Sequence, residues 1–413
     1  MAIFRRFKAF MPVPEKAHEI AAPPYDVINS DEAREYVKNK PNSFLHVGKP
    51  EVDLDPKIST YDKSVYEKGK ENLHKLIENG LLFEDESAHI YVYAQTMNGK
   101  TQYGLVGCAS VEDYWNDIIK KHEKTRKVKE EDRCNHVRVT NAHTGPIFLT
   151  YRDTEEINRI VANIVKNPAT TDFVAEDGIR HQSWVIKDLE LISKIENMLH
   201  NVPTFYVADG HHRSAAAAIV GRERQDANPK HQGTEEYNYF LAVLFPASQL
   251  YIMDYNRLVK DLNGLTTNEF INKLGDVFEI EESENQFKPN SKGEVGMYLD
   301  KKWYKLKFKS NFKNINDPVD SLDVALLQRY VLDLILGIED PRTDTRIDFV
   351  GGIRGLGELE RRVDTDGMKV AFSMYATSVD ELMAIADAGK IMPPKSTWFE
   401  PKLRDGMFVH FLD

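Results

Sequence analysis

Cysteine is nearly absent from this chain of 413 residues, which holds only Cys108 and Cys134. That excludes a disulfide framework and a CxxC zinc site, and a reducing, cytoplasmic compartment is the expectation. No apolar run approaches the roughly 20 residues needed to cross a bilayer. The opening MAIFRRFKAFMPVPEK lacks the apolar centre of a secretory signal. Its mixture of Arg and Phe is that of a transit peptide, but an N-terminal strand or hairpin edge is the plainer reading. Positive charge is in deficit as well, with 54 Lys and Arg against 65 Asp and Glu, a net charge of -11. That balance argues against a nucleic-acid or membrane-surface partner. There is no internal repeat, no low-complexity tract and no GxxxxGK[ST] phosphate loop. His122-Glu123 begins a zinc-protease HExxH, but Arg126 stands in the fifth position.

What is present is an ordinary globular composition, 41% hydrophobic and 29% charged, and a length beyond that of a single core. We expect two lobes, residues 1–260 and 261–413. Helical patterns cover 30–40, 61–80, 113–130, 154–166, 188–200, 266–275 and the amphipathic SLDVALLQRYVLDLILGI. Hairpin patterns recur: HIYVYAQTMNGKTQYGLVGCASV turns at Asn98-Gly99, TDFVAEDGIRHQSWVI turns at Asp177-Gly178, and EVGMYLDKKWYKLKF adds a third. Hairpins require antiparallel pairing. The expected fold class is α+β, with mixed, largely antiparallel sheets and packed helices.

The stretch VADGHHRSAAAA, Val207 to Ala218, joins a buried strand to a helix whose alanines allow close approach. Gly210 permits a turn that other residues make at a cost. The first amides of the helix are unpaired and its dipole is positive there, which makes an anion cradle. Arg213 adds a fork suited to phosphate or carboxylate, His211 and His212 add donors that titrate near neutrality, and Ser214 sits near the helix start. Asp209 is an acceptor able to take a proton from a hydroxyl or to hold a metal. The plain alternative is a capped helix with a structural Asp–Arg pair.

Three further stretches are candidates. In KKHEKTRKVKEEDRCNH, residues 120–136, Glu123 lies among cations, placed to act beside phosphates. The competing reading is a solvated helix face with Glu123 and Lys127 four apart. In AAPPYDVI, Pro23-Pro24 sets a rigid approach to Tyr25 and Asp26 of the kind that lines sites, against a simple turn. In MPPKSTWFEPKLRDG, residues 392–406, Lys395, Ser396 and Thr397 form a candidate phosphate-contacting flap, against a plain surface loop. GGIRGLGE reads as a turn, and His46, His136 and His143 as buried, hydrogen-bonded histidines.

AAPPYDVI, SFLHV, HEKT, ADGHHR and MPPKSTWFEPKLRDG occur in this order along nearly the whole chain. On these motifs the chain resembles the domain-of-unknown-function family 1015. More distantly, the DGHHR turn is similar to the signature of the ParB/sulfiredoxin superfamily, whose free serine kinases use a carboxylate to activate serine, with ADP or ATP as donor. The resemblance implies a ParB/sulfiredoxin-like nucleotide-binding core. Gly210, His211, His212 and Arg213 would hold phosphates, helped by Ser214. Glu123 or Asp209 would be the base. Tyr25, Asp26, His122, Lys124, Thr125, Arg126, Lys395, Ser396 and Thr397 would be substrate or phosphate contacts, and Mg²⁺ would accompany the nucleotide. His211 stands where the sulfiredoxin branch has its cysteine, which excludes sulfinic-acid reduction. The expected function is a nucleotide-dependent phosphotransferase acting on a small hydroxyl-bearing metabolite such as serine. The alternatives are a nucleotide-binding regulatory protein, and a metal-dependent hydrolase using Asp209, His211 and His212.

Overall fold

A computed structural model describes residues 1–312 and 315–413. It divides into two units, Met1–Leu250 with Pro401–Asp413, and Tyr251–Glu400. Residues 251–260, grouped with the first lobe in the sequence reading, belong to the second unit, and residues 401–413 to the first. The class is α+β.

The first unit is built on a nine-stranded mixed sheet. From one edge the order is Ile119–Lys120, Phe205–Asp209, Ile147–Tyr151, Tyr239–Pro246, Lys100–Ser110, Ile90–Met97, Arg180–Ile186 and Thr171–Val174, with Phe4–Arg5 also against Lys100–Ser110. Two pairings are parallel, Phe205–Asp209 with Ile119–Lys120 and Tyr239–Pro246 with Ile147–Tyr151. The others are antiparallel. Both hairpins turn at the expected dipeptides, with Asn98, Gly99 and Gly178 at positive φ. One face of the sheet buries Val92, Leu105, Ile147, Leu149, Phe205, Val207, Phe240 and Leu244 beneath Ile192, Ile195 and Leu199 of helix Leu189–His200.

The expected helix over 113–130 is broken. Helix Val111–Trp115 stops before Asp117, which takes φ 58, and Ile119–Lys120 then joins the sheet. Residues 121–126 form a loop, and a new helix spans Lys127–Thr140. Pairing beside buried Phe205 overrides the helical propensity of this charged run. Glu123 and Lys127 therefore share no helix face. The alanine run has the role its composition suggests. Helix His211–Ala227 packs on Lys127–Thr140 through Ala216, Val220, Cys134 and Val137. At Gly221 a Cβ would stand 2.5 Å from the Tyr237 carbonyl oxygen.

The second unit contains a six-stranded antiparallel sheet in the order Phe278–Ser283, Lys302–Phe308, Glu294–Leu299, Val370–Met374, Tyr255–Val259, Ile347–Gly351. Helix Leu356–Thr365 covers Leu258, Tyr298, Trp303, Val350 and Ala371 through Leu359. The long helix expected over 321–338 is shorter, with Asp323–Leu327 followed by a π-helical turn, Gln328–Asp333. Among the described residues, no helix is long and apolar enough to cross a membrane.

The third hairpin closes through Asp300 and Lys301, at φ 49 and 64, so both central residues occupy the left-handed region of a type I′ turn. Neither is glycine, and a left-handed L-residue costs about 1–2 kcal/mol. Lys301→Gly is expected to stabilise this unit by about 0.5–1 kcal/mol, the relief exceeding glycine's unfolded-state entropy. Urea denaturation with an unchanged m-value would measure it.

Candidate functional site

Strand Phe205–Asp209 ends in a register shift between Val207 and Asp209, and the chain reverses at once into helix His211–Ala227. Gly210 makes the reversal at φ 90 and ψ 33. A Cβ there would be strained and would stand 3.3 Å from Arg213 Nε. Among the described residues, no side chain caps the helix. Its first internal bond runs from Ser214 N to the Gly210 carbonyl at 2.9 Å. The amides of His211, His212 and Arg213 precede that bond and form the open N-terminal crown. Ser214 lies one residue too late for the crown. It is fully buried, and its hydroxyl donates to the His211 carbonyl at 3.0 Å.

The charges beside the turn are fixed. Asp209 accepts the Gly210 amide at 2.9 Å through Oδ1 and pairs with Lys402 Nζ at 2.8 Å through Oδ2. Burial opposes its charge, but Lys402 and Arg213 hold the carboxyl well below the ordinary range. Arg213 is buried. It donates from one terminal nitrogen to the Pro146 carbonyl at 3.0 Å and to Asp405 Oδ1 at 3.4 Å. Its Nε has no partner among the described residues. Burial pushes Asp405 up to about 7, against the pull of Arg213 and with the repulsion of Asp26. A Cβ on Gly145 would collide with the Asp405 carboxylate.

His122 and His211 meet edge to face, ring centroids 4.4 Å apart. Both are buried, and both His122 ring nitrogens and His211 Nε2 lack partners among the described residues. Burial, with His211 adding to it, holds His122 well below its ordinary pKa; the Val207 carbonyl opposes this without meeting hydrogen-bond geometry. Burial brings His211 down to about 4 against the pull of Asp209. Glu123 Oε2 lies 3.9 Å from His211 Nδ1, and the Glu123 side chain is 46% exposed. Two anchors hold the loop: the Arg126 amide donates to His212 Nε2 at 3.1 Å, and Thr125 Oγ1 donates to Glu130 at 2.6 Å. Lys124 is exposed. Tyr25 lies under Arg133, whose guanidinium carbon is 4.0 Å from the ring centre. Asp26 is exposed and is one of the charges acting on Arg213, Asp405 and His212.

The first unit thus gathers His122 to Arg126, Asp209 to Arg213, Tyr25 and Asp26. Lys395, Ser396 and Thr397 belong to the second unit. There Lys395 takes φ 60, its carbonyl accepts from Arg257 at 3.0 Å, and Ser396 Oγ donates to the Pro393 carbonyl at 2.6 Å. Of MPPKSTWFEPKLRDG, it is Lys402 and Asp405 that meet the turn. The signal for them was their charge, opposite to that of Asp209 and Arg213. Among the described residues, no group of three His, Cys, Asp or Glu side chains is placed to hold a metal ion.

The family model described as "Protein of unknown function (DUF1015)" matches residues 4–325. Among solved structures, the chain is similar to a conserved hypothetical protein from Pyrococcus furiosus, at 14% identity and TM-score 0.36 over 71% of this chain and 93% of that one. A free serine kinase in complex with AMP matches at 14% identity and TM-score 0.35, over 68% and 84%. SbnI with C-terminal truncation from Staphylococcus aureus matches at 10% identity and TM-score 0.38, over 73% and 85%. No curated protein matches the chain.

An aspartate in the unfolded chain titrates near 3.8, and Asp405 in the fold near 7. The fold therefore favours the protonated carboxyl, and stability present below 3.8 is lost as pH rises through 7. Asp405→Asn, neutral throughout, should flatten that decline, which denaturant midpoints measured across the window would show.

Proposed function

This chain belongs to the DUF1015 family, and from that premise we propose a nucleotide-dependent phosphotransferase acting on a small hydroxyl-bearing metabolite. The observation that carries the reading is the open crown of three amides above left-handed Gly210, with largely enclosed Arg213 beside it. Amides, dipole and guanidinium together complement the oxygens of a phosphate chain. The nitrogens of His122 and His211 that lack partners among the described residues add polar groups open to a ligand. The resemblance of the ADGHHR turn to that of free serine kinases supports ADP or ATP as donor and makes serine the first acceptor to test.

Of the two candidate bases, we assign the role to Glu123. Asp209 is held ionised by Lys402 and is occupied by the Gly210 amide, so it is a weak base and a positioning group. Glu123 stands on a loop, half exposed, on the His211 side of the turn. It would take the proton from the acceptor hydroxyl, while the crown and Arg213 keep the transferred group in line and compensate its charge. Mg²⁺ would be held chiefly by the nucleotide phosphates.

Phosphorus NMR with Mg²⁺, ADP or ATP and a pool of hydroxy amino acids led by L-serine tests the reaction. A new phosphomonoester signal is expected, absent in Arg213→Ala. Glu123→Gln should bind nucleotide in calorimetry yet turn over about 10²–10⁴-fold more slowly, whereas Arg213→Ala should lose nucleotide affinity. Tight nucleotide binding without turnover for any acceptor would sink the phosphotransferase and leave a regulatory nucleotide-binding protein.

A further inference from the structure

Two buried histidines behind the turn play no part in that chemistry. His143 and His410 are register partners on adjacent strands, and their Nδ1 atoms lie 3.2 Å apart. Such a contact needs one proton between two nitrogens, and its owner is decided at the far side of His410. There Glu236 Oε2 lies 2.8 Å from His410 Nε2, and the same carboxylate pairs with Arg5 at 2.5 Å. A carboxylate only accepts, so Nε2 carries hydrogen. Burial holds both rings below their ordinary pKa, and they are neutral. A neutral His410 protonated on Nε2 has a bare Nδ1, so the shared proton sits on His143 Nδ1. His143 Nε2 is then a bare lone pair. It is buried, with no partner among the described residues.

His143 lines a cavity of about 30 Å³ whose walls also include Asp405, Thr144 and Arg213. That is room for one or two waters, and the walls supply the two to four polar partners a buried water needs. We propose that Glu236, His410 and His143 form a proton relay through which the Asp405 carboxyl loses and regains a proton, by way of a water in this cavity.

The step balances. Asp405 gives its proton to the water, and the water passes one of its own to His143 Nε2. The His143 Nδ1 proton moves to His410 Nδ1, and the His410 Nε2 proton moves to Glu236. One O–H bond breaks at Asp405 and one forms at Glu236, with both rings left neutral and their tautomers exchanged. Glu236, 34% exposed, trades the proton with solvent, and the reverse path restores the first arrangement. The charges facing the relay are Arg5 and Glu236 at His410, Arg224 at His143, and Arg213, Asp26, Arg133 and Arg404 at Asp405. The relay does not rest on the nucleotide reading. His143 and His410 are positioning residues that keep the partner of Arg213 in equilibrium with the medium.

A pH jump from below to above neutrality reads this directly, through loss of the infrared carboxylic-acid band that Asp405→Asn removes. In the full chain the band should vanish within mixing time. In Glu236→Gln, which keeps the shape of the side chain but takes up no proton, the loss should be roughly a hundredfold slower. Equal rates, or no band lost in Asp405→Asn, would overturn the proposal. His143→Phe should slow the loss in the same way. Where that variant does not fold, nitrogen NMR of the imidazoles decides: hydrogen on His143 Nδ1 and His410 Nε2 is expected, and either atom bare refutes the relay.

Discussion

Arg213 is a full positive charge taken out of water, and much of the first unit is arranged to make that tolerable. A buried charge without partners costs several kcal/mol. Its guanidinium is met by the Pro146 carbonyl from the loop before strand Ile147–Tyr151, and by Asp405 from residues 401–413. Gly145 has no side chain because the Asp405 carboxylate occupies that space. On the other side of Gly210, Asp209 carries the opposite charge and draws in Lys402. One glycine turn thus accounts for the Asp209–Lys402 pair, the Arg213–Asp405 contact, the glycine at position 145 and the anchoring of a distant segment.

The two carboxylates singled out in the sequence, Asp209 and Glu123, differ in what surrounds them. Asp209 is saturated by an ammonium and an amide, so its contribution is constant charge and geometry. The break in the helical pattern after Trp115 puts Glu123 on a loop rather than on a helix face. The loop is tied through backbone at Arg126 and side chain at Thr125, which leaves the Glu123 carboxylate on a fixed frame with limited freedom.

Local patterns were legible in the sequence. Hairpin dipeptides and the Gly210 turn rest on backbone chemistry that neighbouring residues set, and they appear where the pattern places them. The helix expected through 113–130 was not legible, because its charged residues have good helical propensity and only the distant strand at Phe205 pulls Ile119–Lys120 into a sheet. The site divides along the same line. Asp209 to Arg213 is one contiguous motif and stands out. Within MPPKSTWFEPKLRDG the polar KST triplet draws the eye as a phosphate binder, yet it belongs to the second unit. Lys402 and Asp405 are recognisable only once the fold shows which charges stand beside Asp209 and Arg213. His143 and His410, far apart in sequence, become a pair only through the short bridge between their strands.

The first unit is discontinuous in the chain: Tyr251–Glu400 is spelled out before Pro401–Asp413 returns to it. During synthesis, residues 1–250 emerge first, with Asp209 and Arg213 lacking Lys402 and Asp405. The turn lacks these two partners until the whole intervening unit has been translated. Completion of its charge pairing is thereby timed to late translation, so a ribosome that stalls within the second unit releases a product whose Arg213 has never met Asp405. Such a product exposes an unfinished, charged seam of the kind that cellular proteolysis removes.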